Sequence, residues 1–285
     1  MHINAYYNGL FTTRDKILIP LTDRALFFGD GIYDAAIGRN GKIFLLDDHI
    51  DRFFDNAKAL DIPIELDRKE LKSVLLELAA RSPHDCYFVY FQLTRFSEER
   101  VHAYPKDSKS NLLITVTKQP MPSPNQKLKL ALERDIRYEM CHIKTLNLLP
   151  SVIASHKADI NGKDETVFHR NGTVTECAHS NVHIVSDNVI YTHPTDNHIL
   201  PGISRKHLIK TAKNLGIKVV ERKYSVYELM KADEVIVTSS SKLAMLVKSI
   251  DYVEFPAQND SISVKICNQM YSDFVNLTKN DTSNC

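Results

Sequence analysis

The chain has 285 residues, of which 43% are hydrophobic and 25% are charged, a balance typical of a globular protein with one large or two smaller domains. It carries 36 basic and 35 acidic residues, and a net charge of +1 gives no reason to expect nucleic acid or an anionic membrane as a partner. No apolar run is long enough to cross a bilayer, and the first ten residues lack the charged-then-apolar order of a signal peptide. We therefore expect a cytoplasmic protein.

Hairpins and helices alternate in the first half of the chain. Asn-Gly pairs between apolar residues predict tight turns at positions 8 and 40, and two glycines around an aspartate predict a sharp bend at 29–31. The predicted elements are, in order, short strands within 5–21, a strand starting near Tyr33, a helix from about 48 to 62, a helix opened by the capping pair Asp67 and Glu70, and strands at 86–94 and 112–117.

Three alternate prolines between residues 119 and 127 favour an extended segment, which is typical of a linker. We predict a small N-terminal α/β domain at 1–118, an interdomain linker at 119–127 and a larger C-terminal domain at 128–285. Elements predicted after the linker are a strand from 128, helices at 150–160, 203–215 and 264–275, a hairpin around 171–172, and strands at 181–185, 189–191 and 234–238. The mixture predicts an α+β, or mixed α/β, fold in two domains.

The five cysteines are odd in number, and no two of them are spaced as C-x-x-C. This pattern argues against a disulfide framework and against a structural zinc site, so we expect reduced thiols and no metal. Cys141-His142 and Cys177-Ala178-His179 each place a thiol near an imidazole. A free cysteine is nevertheless more often a small buried hydrophobe than a metal ligand.

One lysine stands out because it lies in the apolar stretch 142–149, after a run of alternating charges. A buried lysine loses hydration in its charged form, which populates the neutral amine, and that amine forms Schiff bases with carbonyl compounds. Lys144 is therefore a candidate nucleophile. For an isolated motif, however, a strand lysine with its head in solvent is the commoner case.

Four further features would suit one phosphorylated aromatic cofactor. A glycine turn opens a helix at Ile203 and Ser204, where free N–H groups and the helix dipole attract phosphate. Ser240 lies in a hydroxyl run after a strand, Arg52 offers a bidentate phosphate contact, and Glu176 offers an acceptor for a protonated ring nitrogen. Each has a plainer interpretation in isolation: a helix start, a polar turn, an exposed helix arginine and a surface glutamate.

Five motifs follow one another along the chain: Asp23-Arg24 with Gly29-Asp30-Gly31 and Tyr33, His49-Ile50-Asp51-Arg52, Ile143-Lys144-Thr145-Leu146-Asn147, Thr175-Glu176 with Ser180-Asn181, and Leu200-Pro201-Gly202-Ile203-Ser204-Arg205. Their order resembles that of the branched-chain and D-amino-acid aminotransferases, the fold-type IV enzymes that use pyridoxal 5′-phosphate. The resemblance implies that Lys144 is the Schiff-base lysine and catalytic base. It further implies that Arg52, Glu176, Ile203, Ser204 and Ser240 bind the cofactor.

Arg100-Val101-His102 resembles the Arg-x-His loop of the D-amino acid aminotransferases. The resemblance implies that Arg100, His102 and Tyr33 bind the substrate α-carboxylate, for which a guanidinium, an imidazole and a phenol are suitable donors. In that subgroup the loop reaches in from the neighbouring subunit, which implies a homodimer with a shared active site. The implied reaction is transamination between a D-amino acid such as D-alanine and a 2-oxo acid such as 2-oxoglutarate. Without the resemblance, Arg100 and His102 would be solvated loop residues.

Two departures from the family pattern affect the expected substrate range. Cys177-Ala178-His179 stands where relatives usually carry glycine and serines, and Glu98-Glu99 adds negative charge just before Arg100. Alternatives of the same fold are an L-branched-chain aminotransferase, an (R)-amine transaminase and an aminodeoxychorismate lyase, and Pro201 also occurs in branched-chain members. A non-catalytic binding protein with a structural Lys144 is the alternative from another class.

Overall fold

A computed structural model describes residues 2–96, 99–105, 107–255 and 259–280. The chain divides into two compact units. Unit 1 comprises the described residues within Met1–Met121, Ile143–Asn147 and Val275–Cys285, and unit 2 those within Pro122–His142 and Leu148–Phe274. The short segment that carries Lys144 is thus grouped with unit 1. The domain boundaries predicted around the 119–127 linker stay a prediction.

Unit 1 contains a six-stranded antiparallel sheet with the strand order β2-β1-β6-β5-β3-β4. Its strands are β1 (Ala5–Tyr7), β2 (Leu10–Thr12), β3 (Gly31–Arg39), β4 (Lys42–Ile43), β5 (Cys86–Arg95) and β6 (Ser110–Lys118). Its helices are α1 (Arg24–Phe28), α2 (Leu46–Ala59) and α3 (Arg68–Ala80), with a short 3-10 helix at Arg14–Lys16. The strands predicted at 86–94 and 112–117 are therefore confirmed.

The turns and helix starts of unit 1 follow from local chemistry. Asn8 and Asn40 have φ values of 45° and 53°, and a glycine with positive φ follows each of them, which is the backbone that two-residue hairpin turns require. The predicted capping box is present, since Asp67 accepts from the Glu70 backbone N–H and the Glu70 side chain accepts from the Asp67 N–H. Helix α1 was not predicted, because five residues are too few to display a helical period.

The core of unit 1 lies where α2 and α3 pack on the sheet. Phe53 of α2 is fully buried against Phe91 of β5, with ring centroids 4.8 Å apart, and Leu71, Leu75 and Leu78 of α3 are fully buried as well. Each such side chain contributes roughly 1.5–3 kcal/mol by leaving water. This packing fixes α2 against β3, where several of the predicted site residues lie.

Unit 2 contains a nine-stranded mixed sheet with the order β12-β11-β10-β13-β14-β7-β8-β9, and β15 pairs with β14. The strands are β7 (Lys127–Arg134), β8 (Glu165–Arg170), β9 (Thr173–Cys177), β10 (Asn181–Ser186), β11 (Val189–Thr192), β12 (Lys218–Glu221), β13 (Glu234–Ser239), β14 (Leu243–Ile250) and β15 (Val253–Glu254). The helices are α4 (Leu149–Ile160), α5 (Ile203–Asn214), α6 (Val226–Lys231) and α7 (Ile262–Leu277), and the last three residues of α7 are grouped with unit 1.

The predicted mixture of hairpins and helices is confirmed in unit 2, although four elements escaped prediction. Strands β12 and β15 and helix α6 are too short for periodicity, and β14 is a nearly continuous apolar run that carries no alternation. Helix α5 packs on β13 and β14, so that Leu208 is fully buried. No helix in the described parts of the chain is long and apolar enough to cross a membrane.

Candidate active site

The lysine segment runs beside the first residues of β3. The Tyr33 N–H donates to the Lys144 carbonyl at 2.9 Å, and the Leu146 N–H donates to the Gly31 carbonyl at 3.1 Å. A Cβ atom on Gly31 would lie 2.7 Å from both the Leu93 carbonyl oxygen and Leu146 Cδ1, and the backbone oxygen cannot move aside as a side chain can, so the site requires glycine. The register of Lys144 is therefore set by backbone bonds and by a missing side chain.

The Lys144 amine lies over an aromatic ring. Its Nζ is 4.4 Å from the centroid of the Tyr33 ring, and Tyr33 in turn stacks on Tyr90 with centroids 5.5 Å apart. The side chain of Lys144 is half-buried, whereas its neighbours Ile143 and Thr145 are buried. The structure thus brings together Lys144 and Tyr33, two of the predicted site residues, and the amine is held against a ring face instead of extending into solvent.

A buried carboxylate next to Tyr33 fixes the predicted phosphate-binding arginine. Asp34 has no exposed surface, and it accepts hydrogen bonds from Arg52 Nε and Arg52 Nη2, both at 2.8 Å, and from His49 Nδ1 at 2.7 Å. His49 and Arg52 are three residues apart on α2, so they project from one face of the helix. Arg52 is only 7% exposed, and its plainer interpretation as an exposed helix arginine is wrong.

The charges of this cluster are set by burial and by proximity. Burial alone would raise the pKa of Asp34, but the positive charge of Arg52 and the contact with His49 lower that pKa well below its usual range. Burial lowers the pKa of His49, against the opposing pull of Asp34, and the charge of Lys144 lowers it further. Asp34 was missed by sequence reasoning, and the signal that marks it is one acidic residue in an otherwise apolar strand.

The two predicted carboxylate-binding loop residues lie together beside α1. Arg100 Cζ is 5.2 Å from the centroid of the Phe28 ring, and the His102 ring lies 5.2 Å from the same ring. Both side chains are exposed. No described contact joins them to Tyr33, the third predicted ligand of the carboxylate. Glu98, whose charge was expected to weaken the pull on a carboxylate, lies outside the described residues.

Glu176, at the end of β9, is buried in unit 2. Its carboxylate accepts from Arg137 Nη1 at 2.6 Å, from Asn181 Nδ2 at 3.0 Å and from the Leu200 N–H at 3.0 Å. Only 5% of the residue is exposed, so it is not a surface glutamate. Three N–H donors stabilise the charged form of the carboxylate and fix its orientation.

A second buried carboxylate stands behind Glu176. Asp135 accepts from Arg137 Nε at 3.0 Å and Arg137 Nη2 at 2.9 Å, and also from Arg170 Nε and the Thr175 hydroxyl, each at 3.2 Å. Burial would raise the pKa of Asp135, but the bonds from Arg137 outweigh it and the pKa is lowered. Burial would likewise lower the pKa of Arg137, but the negative charges of Glu176 and Asp135 raise it. Sequence reasoning noted the alternating charges before Lys144 without assigning them this function.

The start of α5 contains the predicted phosphate turn. Gly202 is the N-cap residue, and no described side chain caps the helix. The Ser204 hydroxyl donates to the Ser239 carbonyl at 2.9 Å, which joins the first turn of α5 to the hydroxyl run that contains the half-buried Ser240. Asn181 Nδ2 also donates to the Leu200 carbonyl at 3.0 Å. Asn181 thus links this turn to Glu176, so the structure brings together the predicted ring-nitrogen partner and the predicted phosphate turn.

The unusual triplet after Glu176 is divided between core and surface. Cys177 and Ala178 are buried, and burial raises the pKa of the Cys177 thiol well above its usual value. The His179 side chain is 55% exposed and lies 3.2 Å from Glu165. The expected effect of this triplet on the pocket wall stays a prediction.

Comparison with known proteins agrees with this geometry. Residues 31–250 match the model of the amino-transferase class IV family. Branched-chain aminotransferases of Thermoproteus uzoniensis and Escherichia coli superpose with TM-scores of 0.89 and 0.88 at 21% and 20% identity, covering 99% of this chain and 97% and 98% of theirs. The chain belongs to the class IV aminotransferases, and its fold is fold type IV.

Curated relatives refine this placement. The D-alanine aminotransferase of Listeria monocytogenes serotype 4b is 35% identical over 252 residues, which is 87% of each chain. That of Staphylococcus epidermidis is 34% identical over 249 residues, covering 86% of this chain and 88% of the relative. The protein is thus a pyridoxal-phosphate-dependent aminotransferase, as the motif order predicted.

The residues present fit this cofactor. An amine held over a ring suits a carbonyl group, an uncapped helix start with hydroxyls beside it suits a phosphate, and a buried carboxylate with fixed orientation suits a protonated ring nitrogen. The lysine belongs to unit 1, and the carboxylate and the helix start belong to unit 2.

Proposed function

We propose that the protein transfers an amino group between a D-amino acid, with D-alanine as the reference substrate, and a 2-oxo acid such as 2-oxoglutarate. The observation that carries this proposal is the 34–35% identity to D-alanine aminotransferases over 86–87% of the chain. The branched-chain enzymes among the solved structures are only 20–21% identical, so their likeness bears on the fold alone.

Lys144 is the proposed catalytic residue. When bound, pyridoxal phosphate supplies an electron-poor ring that accepts the electron pair left behind as the substrate Cα loses its proton. Lys144 would hold the cofactor covalently between turnovers until the substrate amine displaces it. The freed Lys144 amine would then remove the proton from the substrate Cα and deliver a proton to the cofactor. The Tyr33 ring keeps the amine in place, since Nζ lies 4.4 Å from its centroid.

The remaining cofactor contacts are divided by charge. Arg52, Ile203, Ser204 and Ser240 bind the phosphate, and Asp34 aims the Arg52 guanidinium by two hydrogen bonds. Glu176 pairs with the ring nitrogen and keeps it protonated, which makes the ring a stronger acceptor of electrons. These assignments rest on the resemblance of the motifs together with the burial and fixed orientation of each group.

Arg100, His102 and Tyr33 are the proposed ligands of the substrate carboxylate.

The protein is proposed to be a cytoplasmic homodimer that shares its active sites. Exposed apolar side chains support the dimer. Helix α4 exposes Leu149, Val152, Ile153 and Ile160 by 69%, 58%, 54% and 67%. Apolar surface of this extent on one helix face is typical of a subunit contact.

The experiment that tests the reaction is a half-reaction followed by cofactor absorbance. D-alanine should shift the absorption band of the holoenzyme, whereas L-alanine, L-leucine and (R)-1-phenylethylamine should leave it unchanged. A shift with L-leucine and none with D-alanine would refute the proposed substrate class.

A second test concerns the lysine itself. Lys144→Ala should lower kcat by at least about a thousandfold, because both proton transfer and covalent attachment are lost. Lys157→Ala, which changes an exposed lysine of α4, is the matched control and should keep wild-type activity. After borohydride reduction, mass spectrometry should find the added pyridoxyl group on the peptide that contains Lys144, and its appearance elsewhere would contradict the assignment.

A further inference from the structure

Arg24 is a buried arginine of α1 that the reaction described above does not use. Its guanidinium, in a residue only 3% exposed, donates through Nε to Asp30 at 2.7 Å and through Nη2 to the His102 carbonyl at 3.0 Å. Nη1 donates to the Val101 carbonyl. All three nitrogens are therefore engaged, and two of them hold consecutive carbonyls of the loop that carries Arg100 and His102.

A second buried arginine holds the same loop two residues further on. Arg95 Cζ lies 3.6 Å from the centroid of the Tyr104 ring, and Arg95 Nε donates to Asp30 at 3.1 Å. The Tyr104 hydroxyl donates to Asp61 at 3.3 Å, while Arg95 Nη1 donates to the Asp61 carbonyl at 2.8 Å. Asp30 thus joins the two arginines, each of which fixes a different part of the loop.

We propose that Arg24 is a positioning residue for binding of the substrate carboxylate, and that Asp30 couples it with Arg95 into a clamp on the loop. The inference rests on the proposed function of Arg100 and His102. Those two side chains are exposed, and a loop that exposes its ligands keeps them in a binding geometry only if its backbone is fixed. The clamp fixes it through the carbonyls of Val101 and His102, so the backbone from which the Arg100 and His102 side chains project is held in place.

The clamp also reaches the side chain of Arg100 through one aromatic ring. Arg24 Cζ lies 4.7 Å and Arg100 Cζ 5.2 Å from the centroid of the Phe28 ring. Arg24 therefore supports both the backbone of the loop and the ring on which Arg100 packs. A residue that only stabilised the fold would change the thermal midpoint of unfolding without any selective effect on carboxylates.

The test compares Arg24→Met and Arg24→Lys in the full-length holoenzyme with Arg14→Met, which changes an exposed arginine of unit 1. Arg24→Met should raise KM for D-alanine about tenfold or more, since several charge-assisted bonds to the loop are lost, with kcat and the cofactor dissociation constant within about twofold of wild type. Arg24→Lys keeps the charge without the planar fork and should give an intermediate KM.

Two readouts are independent of turnover. The dissociation constant of propionate, a carboxylate that cannot react, should rise by about the same factor as KM, measured by the absorbance change of the bound cofactor. Trypsin should cleave after Arg100 faster in Arg24→Met than in wild type at equal thermal stability, because the loop backbone is no longer held.

The outcomes separate this inference from the function on which it rests. If Arg100→Ala raises KM and propionate dissociation while Arg24→Met changes neither, the positioning role of Arg24 is wrong and the proposed function stands. If Arg100→Ala leaves both constants unchanged, the proposed carboxylate ligands themselves are wrong. A loss of kcat and cofactor in Arg24→Met, with no selective rise in propionate dissociation, would make Arg24 a structural residue only.

Discussion

Two buried aspartates, one in each unit, hold predicted site residues in different ways. Asp34 is contacted by two residues that lie one turn apart on a single helix, so its cluster is local. Asp135 collects Arg137, Arg170 and Thr175 from separate parts of the chain, and Arg137 continues the contact to Glu176. The first cluster fixes the orientation of one arginine, Arg52. The second is a series of contacts between side chains of alternating charge, from Asp135 through Arg137 to Glu176.

The difference shows how a buried charge is used. In the Asp34 cluster the carboxylate is an anchor, because two hydrogen bonds to Arg52 leave that guanidinium a single orientation. In the Asp135 cluster the carboxylate shares Arg137 with Glu176, so the electrostatic state of Glu176 depends on a residue that does not touch it. Substitutions that break each cluster should therefore have different consequences.

The largest effect is expected from Asp34→Asn. Loss of the negative charge leaves Arg52 buried without its counter-ion, and breaking a buried pair in this way costs about 3–5 kcal/mol. The free energy of unfolding, measured by denaturant titration of the holoenzyme, should fall by that amount, and cofactor should dissociate more readily. Asp51→Asn is the control, since Asp51 pairs with Arg68 on the surface and should change the free energy of unfolding by less than about 1 kcal/mol. Equal effects of the two substitutions would contradict the anchoring role.

A smaller effect on stability, but a spectroscopic one, is expected from Arg137→Met. Removal of this positive charge strengthens the negative field of Glu176 and Asp135, which favours protonated forms of nearby groups. The pH midpoint of the cofactor absorption change should therefore move upward, and kcat should fall by roughly 10–100-fold as the orientation of Glu176 is lost. An unchanged midpoint in a folded variant would show that Arg137 does not influence the cofactor through Glu176.

The smallest expected effect is a pH dependence of stability that arises in the Asp34 cluster alone. Only the Asp34 cluster contains a histidine, and burial lowers the pKa of His49, so below about pH 6.5 the unfolded chain binds a proton that the folded chain excludes. His49 therefore reduces stability as pH falls from 6.5 toward 5, by up to about 1.4 kcal/mol per pH unit. The pKa of each aspartate is lowered, so their contributions persist until the pH falls below the ordinary value for aspartate, about 4.

Thermal unfolding measured between pH 5 and pH 7 tests this assignment. His49→Asn keeps an N–H donor for Asp34 without the titrating ring, and its unfolding curve should depend less on pH than that of wild type in this interval. Arg137→Lys, which retains a permanent charge in the other cluster, should keep the wild-type dependence. Parallel curves for all three proteins would place the titrating group elsewhere.

Much of the framework is predictable from local patterns, because hairpin turns, capping pairs and helical periods are short-range properties. The turns at Asn8 and Asn40 and the capping box at Asp67 are examples. Helix α1 and strand β14 were missed because one is too short for a period and the other lacks alternation. The predicted site residues rest on motif order, and the structure adds burial and partners to Arg52 and Glu176.

The groups that hold those residues were not predictable in the same way. Arg137 and Glu176 are 39 residues apart, and Arg24 and His102 are 78 residues apart. No local pattern relates such pairs, because their proximity depends on how the strands pair. An acidic or basic residue in an apolar strand or short helix is the signal that remains, and Asp34 and Arg24 both show it.

The turn Gly29-Asp30-Gly31 has a consequence for redesign. Its glycines leave room for Leu146 and Asn147 of the lysine segment. Its aspartate pairs with Arg24 and Arg95, the two arginines that bind the loop at 99–105. The conformation of that loop therefore depends on residues outside it. Replacing it with the loop of a relative that has another substrate range would require exchanging Arg24, the whole turn and Arg95 as well, because these residues make the contacts that fix the loop backbone.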